Sequence, residues 1–246
     1  MAFSQDLLKD KTILVTGAGK GIGKACALLA DACGANVIAV ARTESDLVAL
    51  KNESSERLSF WVGDVQDKAL YEKIQALPLH HGLINNAGTN RVAPMQKQSD
   101  ENIDDILSLN IRSAYKVAQA AITPMLKSQA PSIVHMSSQM GFVGSPGRTL
   151  YCLSKHAIEG LTKAMAVELA PNNIRVNSVA PTFIKTPMTE PMLQEPAFAE
   201  MVMNNIPLQR LGSVEDVANA CIFLLSELSM TTTGSCLKVD GGWTAH

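Results

Sequence analysis

Short runs of β-branched and other apolar residues alternate with longer amphipathic stretches along this chain, and that rhythm constrains its fold more than any other feature. Thr12–Thr16, Asn36–Ala41, Leu58–Val62, Leu83–Asn85, Ser132–Met136, Ile174–Val179 and Cys236–Val239 read as strands. Between the first two, Gly21–Cys33 places Ala25, Leu28, Leu29 and Ala32 on one helical face. Asp67–Leu77, Ile103–Lys127 and Tyr151–Leu169 continue the helical pattern. Thr43-Glu-Ser-Asp46 and Ser213-Val-Glu-Asp216 have the spacing of capping boxes, the second opening a helix that runs to about Ser226. Strands separated by helices imply right-handed βαβ units, hence an α/β fold with a doubly wound parallel sheet of about seven strands flanked by helices. The rhythm persists almost to the C-terminus, so residues 1–246 are expected to form one domain. Pro181–Pro207 breaks it: rich in Met and Pro and without a period, residues 181–207 are expected to form a lid over a substrate.

Composition narrows the possibilities by exclusion. A formal net charge of -2 gives no electrostatic footprint for nucleic acid. The opening MAFSQDLLKD lacks a basic segment followed by an apolar core, and no apolar run reaches the roughly 18 residues of a membrane span. The expectation is a cytoplasmic protein with no membrane partner. The five cysteines are scattered and none forms a CxxC pair, so they are expected to be reduced and buried, with no metal site. Cys152 stands apart only because it adjoins Tyr151.

Thr16-Gly-Ala-Gly-Lys-Gly-Ile-Gly23 lies between the first strand and the first helix. Glycines at such a turn let the backbone approach a pyrophosphate, and the helix N-terminus then offers free N–H groups. The spacing is TGxxxGxG, with Thr16, Gly17, Gly21 and Gly23. Asp64 follows the third strand, Asn85-Asn-Ala-Gly88 ends the fourth, and Asn110 stands in the next helical stretch. Ser138, Tyr151 and Lys155 complete the series, thirteen positions from Ser to Tyr and four from Tyr to Lys. In this order and spacing the chain resembles the short-chain dehydrogenase/reductase family over nearly its whole length, which implies a single-domain Rossmann fold. One departure is Pro181-Thr182, where the family usually has Pro-Gly.

The resemblance implies an oxidoreductase that transfers a hydride between a nicotinamide cofactor and a small-molecule carbonyl or alcohol substrate. It assigns the cofactor to Gly17, Gly19, Lys20, Gly21, Ile22, Gly23, Arg42, Thr43, Asp64, Val65, Asn86, Ala87, Gly88, Tyr151, Lys155, Pro181, Thr182, Ile184 and Thr186. The second strand ends in Val40-Ala41-Arg42-Thr43, without the acid that would bind the ribose hydroxyls of NAD. Arg42 and Lys20 instead suit a 2′-phosphate, so NADP(H) is the expected cofactor, with NAD(H) secondary.

Tyr151 and Lys155, at i and i+4, project from one helix face, and the ammonium is expected to lower the phenol's pKa toward a useful range. In the family's scheme Tyr151 exchanges the proton, Ser138 bonds the same substrate oxygen, Lys155 holds the ribose, and Asn110 organises a water chain. Gln139–Val143, with Phe183, Met188, Met192 and Leu193, is expected to wall an apolar pocket for a neutral carbonyl compound. The resemblance further implies a homotetramer. The alternatives are a 3-oxoacyl-thioester reductase, a sugar or alcohol dehydrogenase of the same family, or a non-catalytic nucleotide-sensing protein.

Overall fold

A computed structural model describes residues 3–187 and 189–245. Met188, expected in the pocket wall, lies outside the described residues. Along the chain run β1 (Thr12–Thr16), α1 (Gly21–Ala32), β2 (Asn36–Ala41), α2 (Glu44–Asn52), β3 (Leu58–Val62), α3 (Lys68–Gln75) and β4 (Gly82–Asn85). There follow α4 (Asp100–Ile106), α5 (Ser113–Met125), β5 (Ser132–Met136), α6 (Thr149–Leu169) and β6 (Arg175–Pro181). The chain continues with α7 (Glu190–Leu193), α8 (Pro196–Asn204), α9 (Val214–Leu225) and β7 (Cys236–Val239).

The seven strands form one sheet in the order β3-β2-β1-β4-β5-β6-β7, and every pairing is parallel. Successive side chains point to opposite faces of a strand, and both faces here are covered. Ile13 and Val15 pack with Ala27 of α1, Leu47 of α2 and Cys221 of α9. Leu14, between them, packs on the other face with Val117 and Ala121 of α5 and Leu169 of α6. That double burial explains why the strands read as nearly continuous apolar runs. Strand order reverses between β1 and β4, so the loops leaving their carboxyl ends part to opposite faces and open a crevice.

Beyond shifts of a residue or two at element ends, three features differ from the sequence reading, each for a local reason. Ile103–Lys127 is not one helix: α4 starts earlier, at Asp100, because Ser99 Oγ accepts the Asn102 N–H. A π-helical turn over Leu107–Arg112 then separates α4 from α5. At Thr43 the side chain makes no capping bond, so that capping box does not form, although α2 begins where expected. The Ser213 box does form, with both reciprocal bonds to Asp216. Finally, residues 181–207 are less irregular than their composition suggests. β6 runs on through Pro181, and α7 and α8 follow, their apolar residues joining a small cluster of Met140, Phe183, Val202 and Ile206.

Candidate active site

The crevice is stitched shut at its base by the β1 and β4 loops. Thr16 Oγ1 accepts the N–H groups of Asn86 and Ala87 at 3.0 and 3.1 Å, and Asn86 Nδ2 donates to the carbonyls of Thr16 and Gly17 at 3.0 and 3.3 Å. The glycine turn lies against this seam with no room to spare. Gly17 has φ +65°, and a Cβ on Gly23 would sit 2.2 Å from the Gly17 carbonyl oxygen. A cradle this close, at the start of α1, fits a pyrophosphate held by backbone N–H groups.

Two adjoining clefts extend from the cradle. The first, about 200 Å³, is lined by Gly17, Gly19, Lys20, Arg42, Thr43, Asp64, Val65, Ala87 and Gly88, together with Ala41 and Asp46. The second, about 120 Å³, gathers Ile22, Asn86, Gly88, Ser138, Tyr151, Lys155, Pro181, Thr182, Ile184 and Thr186. Gly21 and Gly23 line neither; they shape the turn, Gly21 at φ +54° against Thr186. Asn110 lines neither as well. It is buried in the π-helical turn, where its Oδ1 accepts the Thr89 N–H at 2.9 Å and its Nδ2 donates to the Thr89 carbonyl at 2.8 Å. The widened turn thus anchors the loop beyond Gly88.

Both cations of the first cleft have partners. Lys20 Nζ lies 3.2 Å from Asp46 Oδ2, and Arg42 Nη1 lies 3.7 Å from Asp64 Oδ2. Asp46, absent from the sequence reading except as half of a capping box, is therefore part of this cleft.

In the second cleft, Lys155 Nζ donates to the Met136 carbonyl at 2.8 Å and lies 5.4 Å from the Tyr151 ring centroid. Burial pushes the Lys155 ammonium down to about 8, against the pull of Glu159 one turn on. Tyr151 differs from expectation. Burial raises its phenol above the ordinary value; the Ser138 hydroxyl and the Arg148 guanidinium oppose that rise. A countervailing charge comes from Arg148, three residues before Tyr151. Ser138 Oγ donates to Gln139 Oε1 at 2.8 Å and accepts the Met140 N–H. Ser137 shares the cleft, but its hydroxyl is buried without a partner among the described residues. Thr182 Oγ1 is orphaned in the same way where the family usually has glycine.

Sequence reasoning missed Arg148. It is buried at the mouth of α6 and lines a further pocket with Ser138, Tyr151, Phe183 and Met192. The available signal was its i, i+3 spacing to Tyr151, which places both on one side of the first helical turn.

With this geometry established, similarity to known proteins becomes informative. A family model described as enoyl-(acyl carrier protein) reductase matches residues 17–244. The 3-oxoacyl-[acyl-carrier-protein] reductase of Thermotoga maritima is 38% identical over 243 residues, covering 96% of this chain and 98% of its own. A short-chain type dehydrogenase/reductase from Mycobacterium marinum superposes with a TM-score of 0.91 at 33% identity, covering 98% of this chain and 99% of that one. The chain belongs to the short-chain dehydrogenase/reductase family. Within it, the L-xylulose reductase of Bos taurus is also 38% identical, over 97% of this chain and 98% of its own. A structure from Beutenbergia cavernae, described as an NAD(P)-dependent gluconate 5-dehydrogenase with bound NADP, gives a TM-score of 0.93 at 31% identity, covering 99% and 100% of the two chains. This short-chain dehydrogenase/reductase is a hydride-transferring carbonyl/alcohol oxidoreductase.

Proposed function

We propose that the enzyme prefers NADP(H) and that Tyr151 delivers the proton to the substrate oxygen on reduction and removes it on oxidation. The observation that carries this reading is the convergence of Ser138, Tyr151 and Lys155 in one cleft beside the glycine cradle. When bound, the cofactor supplies or accepts the hydride. The protein's own residues do the rest. Ser138 donates to the same substrate oxygen as Tyr151, Lys155 holds the cofactor ribose, and Asn110 keeps the Thr89 loop in place and leads water toward Lys155. Ala41 leaves room for a 2′-phosphate between Arg42 and Lys20. Residues 181–207 act as the lid, with Phe183 and Phe198 in edge-to-face contact at 5.4 Å. The same proposal includes a homotetramer packed through the long helices, where Leu153 and Val167 of α6 stand exposed.

The test is an absorbance screen of aldehydes, ketones, sugars, oxo acids and alcohols with NADPH and NADH, run on the wild type and on Tyr151→Phe. The wild type is expected to turn over at least one class. Tyr151→Phe is expected to lose about 100-fold or more in kcat, the range for a missing general acid, while binding NADPH normally by fluorescence. Near-normal turnover in that variant would defeat the assignment.

A further inference from the structure

Arg148 is a buried cation whose surroundings supply no counter-charge. Its side chain is 5% exposed, and it takes part in none of the ion pairs among the described residues. Its Nη2 donates to Met192 Sδ at 3.2 Å, and the guanidinium faces the rings of Phe183 and Phe198 at 5.4 and 5.8 Å. Those are weak partners for a group taken out of water. The other buried arginine with no carboxylate beside it is better supplied: Arg175 donates to the Leu224 carbonyl, Ser229 Oγ and the Ser226 carbonyl at 2.8 to 3.1 Å, although its Nε has no partner among the described residues.

Arg148 also borders open space. It lines a pocket of about 60 Å³ together with Ser138 and Tyr151. Asn90 and Thr182 line that pocket too, and Asn90 Oδ1 and Thr182 Oγ1 are buried with no hydrogen-bond partner among the described residues. A guanidinium whose hydrogen-bond partner is a thioether sulfur and an unpartnered Thr182 hydroxyl, both on one small pocket, describe a polar subsite that suits an anionic ligand; Asn90 Oδ1, an acceptor, takes no part in holding the anion.

We propose that Arg148 binds the carboxylate of the substrate, so that the enzyme acts on short oxo acids and the matching hydroxy acids whose carbonyl carbon lies a few bonds from the acid group. The proposal rests on the reading of Tyr151 as proton donor, because Arg148 and Tyr151 line one small pocket, which keeps the span between the two substrate groups short. A carboxylate, and not a phosphate, fits a small pocket with a single arginine, since two parallel N–H···O bonds neutralise it. On this proposal the substrate is an acid, in place of the neutral compound that the Met-rich lid sequence suggests.

Reduction of 2-, 3- and 4-oxo acids of three to six carbons, each beside its methyl ester, tests this with NADPH. In the wild type kcat/KM for the best acid is expected to exceed that of its ester at least about tenfold, carried by KM, as for a charge-assisted bidentate contact. Arg148→Met is expected to bring that ratio close to one, and Arg148→Lys to keep part of it. A wild type that uses the esters as well as the acids overturns the proposal, as does a folded Arg148→Met variant that keeps the acid preference. Calorimetry of the wild type loaded with NADP⁺ separates this failure from failure of the catalytic reading. Tighter binding of a hydroxy acid than of its methyl ester supports the subsite even where no carbonyl is turned over, and equal binding of the two removes it.

Discussion

Arg42 and Lys20 frame the same cleft wall, and each rests on a carboxylate while well exposed: their side chains are 72% and 63% accessible. Exposed ion pairs of this kind contribute little and exchange partners readily. A 2′-phosphate offers more charge and a planar match to the arginine fork. On the proposed NADP(H) reading, Asp64 and Asp46 hold the cations at the cleft until the phosphate takes their place. On this argument Arg42→Ala raises KM for NADPH by about 10-fold or more, a lost charge-assisted contact, and leaves KM for NADH little changed. Matched losses for both cofactors would show that Arg42 does not read the phosphate. At this scale the motif residues were legible in the sequence because their chemistry depends on chain spacing: Thr16 to Gly23, and Ser138 through Tyr151 to Lys155. Asp46 and Arg148 were not, because their partners, Lys20 of the glycine turn and Met192 of the lid, lie far away in sequence.

Elements carry a different argument, visible where β6 meets α9. A helix leaves its last carbonyls without intrahelical donors, and α9 ends in a buried region. Arg175, first residue of β6, fills that need by donating to the carbonyls of Leu224 and Ser226 and to Ser229 Oγ. Burial pulls its guanidinium below the ordinary range, which measures how far it has left water. Arg175→Met should therefore cost about 1–3 kcal/mol, since it removes three buried charge-assisted bonds while Ser132 Oγ and Ser229 Oγ still donate to the same carbonyls. The measurement is thermal unfolding, with KM for NADPH as control. Arg175 begins β6, whereas the candidate site lies at the opposite, carboxyl ends of the strands, so KM is expected to hold. An unchanged Tm would mean that water caps α9 equally well. The periodic helices and strands were readable as elements; the π-helical turn at Asn110 was not. A π turn keeps helical composition, and only the tertiary need to bond Thr89 reveals it.

At the scale of the whole molecule, seven parallel strands followed from the alternation, but the strand order did not. Each crossover can land on either side of β1, and the choice depends on which helices pack together, as α1 does with α9 and α3 with α5. The same dense burial traps two histidines as neutral rings. His80, fully buried just before β4, has no partner for either ring nitrogen among the described residues. Burial, then His81, pushes it down to about 3. Burial, then Lys155, pushes His135 of β5 down to about 4. Both fall below the unfolded value near 6.5. Between the folded and unfolded values the unfolded chain binds more protons, so stability rises with pH there and is lost as pH falls below about 6.5. For His80 alone the loss reaches about 2 kcal/mol at pH 5. His80→Leu removes that proton uptake and two orphaned nitrogens at once. Urea unfolding at pH 7 should find the variant no less stable than the wild type. At pH 5 it should gain about 2 kcal/mol relative to its position at pH 7. Parallel losses of stability between pH 7 and pH 5 in the two proteins would mean that His80 already finds a proton partner in the folded chain.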